Sequence, residues 1–425
     1  MYLKNFQYLK NKETKFLLLL ISLSVLIRIP VILIYGDTNI DNEWKEIVNN
    51  LIYHGEFAYR KFDDFFLPNI YMPPLYPFYL YFFALFHFET QNYILIVLFS
   101  QILLATGSAV VFYKINKIFF STKLSFYSAL IFTLFPLNLY ACSQMSSVSL
   151  QNFLSILFFY LFFTFVNKRN IFSIINLSII SGLLILLRGE FIAILIFSLF
   201  FSLVFFKVKI KDIFLILLVV LITISPYLIR NVIIFNQVTI TKSLGYNLWK
   251  GNNSNSNVEG SKVAISGFTS GEKNNGKSEL EIKLNKIPKD KFYQIKADEI
   301  FLKEANKNII NDFERYLILF VKKFFSFFFI DVNSSIQNYY HPLHYIPVLI
   351  IGITSVIGMF FNKKKSTELN YLIFICFITI TIFSIFFILP RYKLVILPLQ
   401  IIFTNIFVER LVKNFKIFKG SRVKL

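Results

Sequence analysis

Long apolar runs recur from one end of the chain to the other, and they limit its fold more than any other feature. The 425 residues contain twelve of them, near positions 16–34, 75–88, 93–113, 124–140, 147–166, 171–187, 191–206, 213–230, 316–330, 343–361, 370–389 and 392–410. A soluble domain cannot bury this much apolar surface, whereas a bilayer needs about 20 apolar residues for each spanning helix. The sequence therefore predicts an all-α, polytopic integral membrane protein with a single membrane domain over residues 1–425.

Positive charge lies between the apolar runs. Short clusters of Lys and Arg residues, which contribute to the net charge of +20, lie at 4–15, 114–123, 168–169, 207–211, 363–365 and 413–424. Clusters of this kind mark cytoplasmic loops, so they are interpreted as topology signals and no nucleic-acid partner is predicted.

The charge clusters also set the number of crossings. All of them become cytoplasmic if two of the twelve runs do not cross. Run 75–88 is short, and run 316–330 carries Lys322 and Lys323 in its middle, so both are predicted to be interfacial or re-entrant. We predict a bundle of about 10–12 transmembrane helices, with ten crossings preferred and both termini cytoplasmic.

Polar residues concentrate on the opposite, outer face in this topology. That face receives the first loop (35–72), the turn at 188–190, a long loop (231–315) and the start of the last run at 391–392. Apolar residues between 278 and 307 have helical spacing, which predicts one or two amphipathic helices broken at Pro288. We therefore expect the chemistry of the protein on the outer face.

Three carboxylates open a helical stretch in the first loop, namely Asp41, Glu43 and Glu46. A carboxylate beside a low-dielectric phase can have a raised pKa and act as a general base. The alternative is a solvated acidic helix start that the helix dipole stabilises.

Four arginines lie where the cytoplasmic charge bias does not place them. Arg28 falls inside the first run, Arg188 and Arg230 end the sixth and eighth, and Arg391 begins the last. Arginine at such positions is costly and usually has an anionic partner or a function, and its planar fork suits phosphate oxygens. Each could instead pair with a local acid such as Glu190 or reach lipid headgroups. Together with the carboxylates, the four favour a site for a phosphate-bearing lipid.

Several common cofactor patterns are missing from the sequence. The two cysteines have no CxxC spacing, the four histidines have no HExxH spacing, and neither GxGxxG nor a P-loop is found. No protein-bound metal set, redox site or nucleotide-sugar site is predicted.

Six short motifs occur in a fixed order along the chain. They are Asp41-Asn42-Glu43-Trp44, MPPLYPF at 72–78, LRGE at 187–190, SPYLIRN at 225–231, SLGYNLWKGNN at 243–253 and RYKLVILP at 391–398. In this order they resemble the bacterial membrane glycosyltransferases related to protein O-mannosyltransferases and to the lipid A aminoarabinose transferase. The resemblance covers about residues 16–410 and implies a C-type glycosyltransferase (GT-C) fold.

The resemblance implies transfer of a sugar from a polyprenyl-phosphate donor, with inversion at the anomeric carbon. The acceptor would be a lipid, a glycan or a protein on the periplasmic face of a bacterial inner membrane. Asp41 matches the catalytic acid of the first loop, and Glu43 is the alternative base. Arg391 and Tyr392 match a pair expected near the lipid phosphate. The full set of predicted donor-phosphate ligands is Arg391, Tyr392, Arg188, Arg230 and Arg28.

Further substrate contacts are expected in these motifs and in the rest of the first loop. The predicted residues are Glu46, His54, Pro73, Pro74, Tyr76, Glu190, Tyr246 and Asn252. Some relatives carry an acid just before the double proline, where this chain has Met72, and Asp63 or Asp64 is the alternative here. No cofactor is required by these residues, while assistance by a divalent cation is left open. Membrane lipids are expected partners.

Two other functions are alternatives to sugar transfer. One is a flippase or transporter of lipid-linked glycans, and the other is a polymerase or ligase of such glycans. Transporters typically show internal repeats, Gly/Pro-broken central helices and polar residues at the midplane. This chain has only 14 glycines, no visible repeat and polar residues displaced to one face, which favours the transferase.

Overall fold

Helices account for nearly all regular structure in the computed structural model, which describes residues 2–40, 43–62, 65–87, 93–261, 278–360 and 366–421. The helices are α1 Tyr2–Tyr35, α2 Glu43–His54, α3 Leu75–His87, α4 Tyr93–Phe119, α5 Thr122–Leu134, α6 Pro136–Ser143, α7 Val148–Lys168, α8 Ile171–Leu187, α9 Phe191–Phe205, α10 Ile210–Phe235, α11 Leu244–Gly251, α12 Glu279–Asn285, α13 Tyr293–Asn311, α14 Phe313–Phe328, α15 Pro342–Phe360, α16 Thr367–Ser384, the 3-10 helix η1 Pro390–Val395 and α17 Leu397–Ser421. Two antiparallel hairpins pair β1 Ala58–Phe62 with β2 Phe65–Pro68, and β3 Ser256–Asn257 with β4 Gly260–Ser261. The predicted all-α fold class is confirmed.

Each predicted apolar run coincides with a helix or a broken helix pair. Within the described residues, six helices are long and apolar enough to span a membrane, namely Glu13–Tyr35, Tyr93–Phe119, Val148–Lys168, Ile210–Phe235, Pro342–Phe360 and Thr367–Ser384. A seventh span results if α5 and α6, bent by 51°, cross together. The chain is therefore a multi-pass membrane protein.

The predicted ten crossings exceed these six or seven helices. The three predicted crossings that are not among these spans are α8, α9 and α17. The first two have 17 and 15 residues, and α17 carries Glu409, Arg410 and Lys413 in its second half. At 1.5 Å per residue α9 is only about 22 Å long, against roughly 30 Å of hydrocarbon.

A proline explains why the run at 124–140 is not one straight helix. Pro136 has no N–H to bond the carbonyl of Phe132, so α5 ends at Leu134 and α6 begins at Pro136. The side-chain amide of Asn138 donates to that Phe132 carbonyl instead, at 3.0 Å. The break therefore leaves carbonyl oxygens inside the bundle that need donors from elsewhere.

Charged groups tie the helices together at one end of the bundle. Lys117 at the end of α4 bonds Glu13 at 2.6 Å, and Arg169 after α7 donates to the carbonyls of Phe206 and Lys207. The ring of Phe119 lies 5.8 Å from that of Phe163, so α4 and α7 end at the same level. Four of the basic clusters thus lie at one end, as the predicted topology requires.

The long outer loop folds on itself at the other end. Helix α10 continues to Phe235, past the predicted loop start at residue 231. The predicted amphipathic helices are present as α12, which has a Ser278–Glu281 capping box, and α13, with Pro288 between them. Helix α11 packs on α13 through a cluster that includes Trp249 and Phe301.

Candidate functional site

Two motifs that are 200 residues apart in sequence meet at the end of the bundle opposite the basic clusters. Helix α8 ends at Leu187, and Arg188 caps it in an extended conformation before α9 begins. The Arg188 Nε lies 2.9 Å from Glu190 Oε1, and its guanidinium carbon lies 5.1 Å from the centre of the Tyr392 ring. The structure thus brings the predicted LRGE and RYKLVILP motifs together.

Arg391 completes this group from the side of η1. It is exposed, and its guanidinium carbon lies 5.8 Å from the Tyr392 ring. We call Arg188, Glu190, Arg391 and Tyr392 the outer cluster. The Tyr392 ring therefore lies near two guanidinium groups. That of Arg188 is partly buried and that of Arg391 is exposed. A cation on an aromatic face is a favourable contact.

A second layer of backbone contacts holds the segment that leads into η1. The side-chain amide of Asn252 donates to the carbonyl of Ile385 at 2.8 Å, and the N–H of Ile388 donates to Val258 at 2.8 Å. The buried amine of Lys323 donates to the carbonyl of Gly251 at 2.8 Å. The amide nitrogen of Asn252 thus holds the segment that leads into η1, while the binding of substrate by Asn252 stays a prediction.

Gly251 permits this close packing, and its substitution should disturb it. A Cβ on Gly251 would overlap the carbonyl oxygen of Phe386, so the two backbones would have to separate. We expect Gly251→Ala to destabilise the protein by about 1–3 kcal/mol, which is the typical cost of overpacking. Thermal unfolding in detergent measures the effect. Gly107→Ala is the control, because the atoms nearest to its added Cβ belong to the Phe153 ring, which can shift more easily than backbone, so the substitution should cost less. Equal melting temperatures for the two variants would contradict this account of Gly251.

The hydrogen bonds of Arg28 run to its own helix and to the break between α5 and α6. Its side chain is fully buried in α1 and donates to Ser24 Oγ at 2.7 Å and to the carbonyl of Thr133 at 3.2 Å. Thr133 belongs to the last turn of α5, where the Pro136 break leaves carbonyls without helical partners. Arg28 therefore supplies donors to the break, and its binding to phosphate stays a prediction.

Arg230 also bonds backbone and not the outer cluster. It donates to the carbonyls of Asn69 at 2.6 Å and Phe57 at 3.2 Å, and its guanidinium carbon lies 5.3 Å from the centre of the Phe57 ring. These contacts fasten the first outer loop to α10. Arg230 therefore holds that loop in place, and its binding to phosphate stays a prediction.

Asp41, Asp63 and Asp64 lie outside the described residues, and so does the side chain of Glu43, which begins α2. The helix that follows Asp41 is nevertheless fixed, because Trp44 on α2 packs edge to face on the buried Tyr76 of α3, with ring centres 4.7 Å apart. This contact joins the acidic motif to the MPPLYPF motif.

Other predicted substrate residues take part in packing. His54 is exposed at the end of α2, 4.8 Å from the Phe66 ring, and half-buried Glu46 lies on the same helix. Pro73 and Pro74 lead into α3, where the Pro74 carbonyl accepts from the N–H of Phe78.

Tyr246 contributes to the long outer loop. Its N–H donates to Asp298 Oδ1 at 3.0 Å, and its ring lies 5.2 Å from that of Phe301. Burial raises the pKa of the Asp298 carboxyl above its ordinary value. Tyr246 thus serves the packing of α11 on α13.

Comparisons with known proteins show what this architecture resembles. No family model and no curated protein matches the chain. Among solved structures, it is similar to the crystal structure of the oligosaccharyltransferase of Archaeoglobus fulgidus in the apo form, with a TM-score of 0.53 and 13% identity over 96% of this chain and 52% of that one. The chain has a GT-C fold. It spans about half the length of the oligosaccharyltransferase, and at this identity the likeness shows the fold alone.

Within the GT-C fold, α7 contributes a contact that the motifs did not predict. Gln151, in the first turn of α7, accepts a hydrogen bond from Arg188 through its side-chain oxygen at 3.3 Å. The sequence signal for this contact is an amide residue inside the apolar run at 147–166. None of the six motifs includes that run.

The predicted alternative of a divalent cation stays open. Over the described ranges of the chain, no group of three or more His, Cys, Asp or Glu side chains could hold a metal ion. Asp41 and the carboxylate of Glu43 are not part of that set.

Proposed function

We propose that this protein is an inverting glycosyltransferase that uses a polyprenyl-phosphate sugar as donor. The acceptor is a lipid, glycan or protein on the periplasmic face of a bacterial inner membrane. The outer cluster carries the proposal, because it gathers Arg188 and Arg391 at one end of a GT-C bundle, and guanidinium groups suit phosphate oxygens. The structural likeness to a protein named an oligosaccharyltransferase supports it.

The proposed reaction is a single displacement. An acceptor hydroxyl oxygen attacks the anomeric carbon opposite the phosphate, so the new C–O bond forms as the bond to the phosphate oxygen breaks. The electron pair of the breaking bond goes to the phosphate, where Arg188 and Arg391 stabilise the charge. The hydroxyl proton goes to the carboxylate of Asp41 or Glu43.

Purified protein and defined donors test this function. A panel of polyprenyl-phosphate sugars is incubated with the protein and with cell-envelope acceptors, and release of polyprenyl phosphate is followed. We expect release together with a glycosylated product of inverted configuration. Movement of intact donor across proteoliposomes without cleavage of the sugar–phosphate bond would replace the transferase with the flippase alternative.

Topology gives an independent prediction. The proposal requires positions 41 and 391 on the periplasmic side and position 168 on the cytoplasmic side. In whole cells with permeable outer membranes, we expect an impermeant maleimide to label Asp41→Cys and Arg391→Cys, and to label Lys168→Cys only after lysis. The native Cys142 and Cys376 are buried, so their background should be low. Labelling of 41 and 391 from contrary sides would exclude a shared site.

A further inference from the structure

Three neighbouring polar side chains on α7 end in atoms without hydrogen-bond partners in the described part of the chain. They are Nε2 of Gln151, Oδ1 of Asn152 and Oγ of Ser155. The three residues are only 3%, 4% and 2% exposed. Buried polar groups are almost always paired, and each unpaired one costs about 1–3 kcal/mol. Three together inside a membrane helix therefore need an explanation.

These atoms form a stripe that begins at the outer cluster. Gln151 bonds Arg188 through its oxygen, which leaves its amide nitrogen available. Asn152 donates to Asn138 Oδ1 on α6 at 3.3 Å, which leaves its own oxygen available. Ser155 is one turn deeper, and positions four apart lie on the same helix face. Helix η1, which carries Tyr392, also packs against α7.

The chemistry of the stripe is neutral and mixed. It offers an amide donor, an amide acceptor and a hydroxyl that does both, over a length of about 6 Å along the helix axis. Adjacent hydroxyl groups of a pyranose ring are the natural complement, since each hydroxyl donates and accepts. A phosphate is not, because no positive charge belongs to the stripe.

We propose that Gln151, Asn152 and Ser155 form the subsite for the hydroxyl groups of the donor sugar. The inference rests on the proposed function. In the donor, the sugar is bonded directly to the phosphate, and Gln151 contacts Arg188 at 3.3 Å, so a sugar whose phosphate lies at Arg188 is within reach of the stripe. The three atoms are closed off from solvent, so the Arg188 side chain, which contacts Gln151, has to move aside as the sugar enters.

Buried water is the competing explanation, since a water molecule can also satisfy such atoms. The two explanations differ in the ligand that depends on the stripe. If the stripe binds sugar, substitutions in it weaken binding only of lipids that carry a sugar. If it binds water, the same substitutions do not change the affinity for either lipid selectively. The ratio of affinities for a polyprenyl-phosphate sugar and for plain polyprenyl phosphate separates them.

The experiment uses the full-length protein in nanodiscs with Ser155→Ala and, separately, Asn152→Leu. Loss of one hydrogen bond should reduce affinity for the sugar-bearing lipid about fivefold, while affinity for polyprenyl phosphate stays unchanged. The melting temperature of Ser155→Ala should stay the same or rise, because the variant removes an unpaired polar atom. Ser178→Ala is the matched control, since its buried hydroxyl already bonds the Ile174 carbonyl at 2.7 Å.

Two results would overturn the subsite. One is an unchanged affinity ratio in both variants while the wild-type protein cleaves the donor, which leaves the proposed function standing. The other is a wild-type protein that cleaves no donor and binds both lipids equally, which removes the proposed function and the subsite together.

Discussion

Asp41→Asn should lower the turnover of sugar transfer about a thousandfold. The substitution keeps the size of the side chain but removes the group that takes the proton from the acceptor, and a positioned general base contributes roughly 10²–10⁴-fold. Glu43, two residues later, is the alternative base, so Glu43→Gln is measured beside it. The residue with the larger loss is assigned as the base. Turnover is measured at saturating donor, so that weaker binding does not enter the result.

Glu279→Gln serves as the control for these variants. Glu279 lies on α12, its carboxylate bonds Lys283 at 2.7 Å and it is largely exposed, so its loss should not change turnover. Retained turnover in Asp41→Asn, Glu43→Gln and the double variant would remove both acids from the mechanism.

The positions of helices follow from the sequence because they depend on local patterns. Apolar runs and the amphipathic spacing before and after Pro288 predict the elements that the structure contains. The number of spans does not follow as readily. Helices α8 and α9 are too short by themselves, and whether a short apolar helix crosses depends on its neighbours and on the bilayer.

The sequence does not distinguish the roles of the four arginines, for a different reason. All four residues look alike in sequence, yet Arg188 and Arg391 share one aromatic ring while Arg28 and Arg230 bond backbone carbonyls. A buried guanidinium binds whichever acceptors lack partners, and those acceptors are set by tertiary contacts. The Thr133 carbonyl that Arg28 bonds is a partial exception, because Pro136 in the run at 124–140 predicts a helix break there.

Arg188→Ala should reduce kcat/KM for the donor about a hundredfold. The guanidinium is expected to stabilise charge on the departing phosphate, and removal of one such group typically costs 10²–10³-fold. The variant also leaves Glu190 without its 2.9 Å ion pair, close to the place of the phosphate. Arg188→Ala combined with Glu190→Gln should therefore recover part of the loss, since repulsion between the carboxylate and the phosphate is then removed. A double-mutant cycle on kcat/KM measures this coupling.

Arg169→Ala is the matched control for Arg188→Ala. Arg169 lies just before α8, and Arg188 lies just after it. Arg169 donates to the carbonyls of Phe206 and Lys207 at the opposite end of the bundle. It should leave kcat/KM unchanged. Arg188→Lys should restore little activity. The planar guanidinium of Arg188 contacts Glu190, Gln151 and the Tyr392 face at once, and the ammonium group of a lysine cannot do so. Equal kcat/KM for Arg188→Ala and Arg169→Ala would show that the outer cluster does not hold the phosphate.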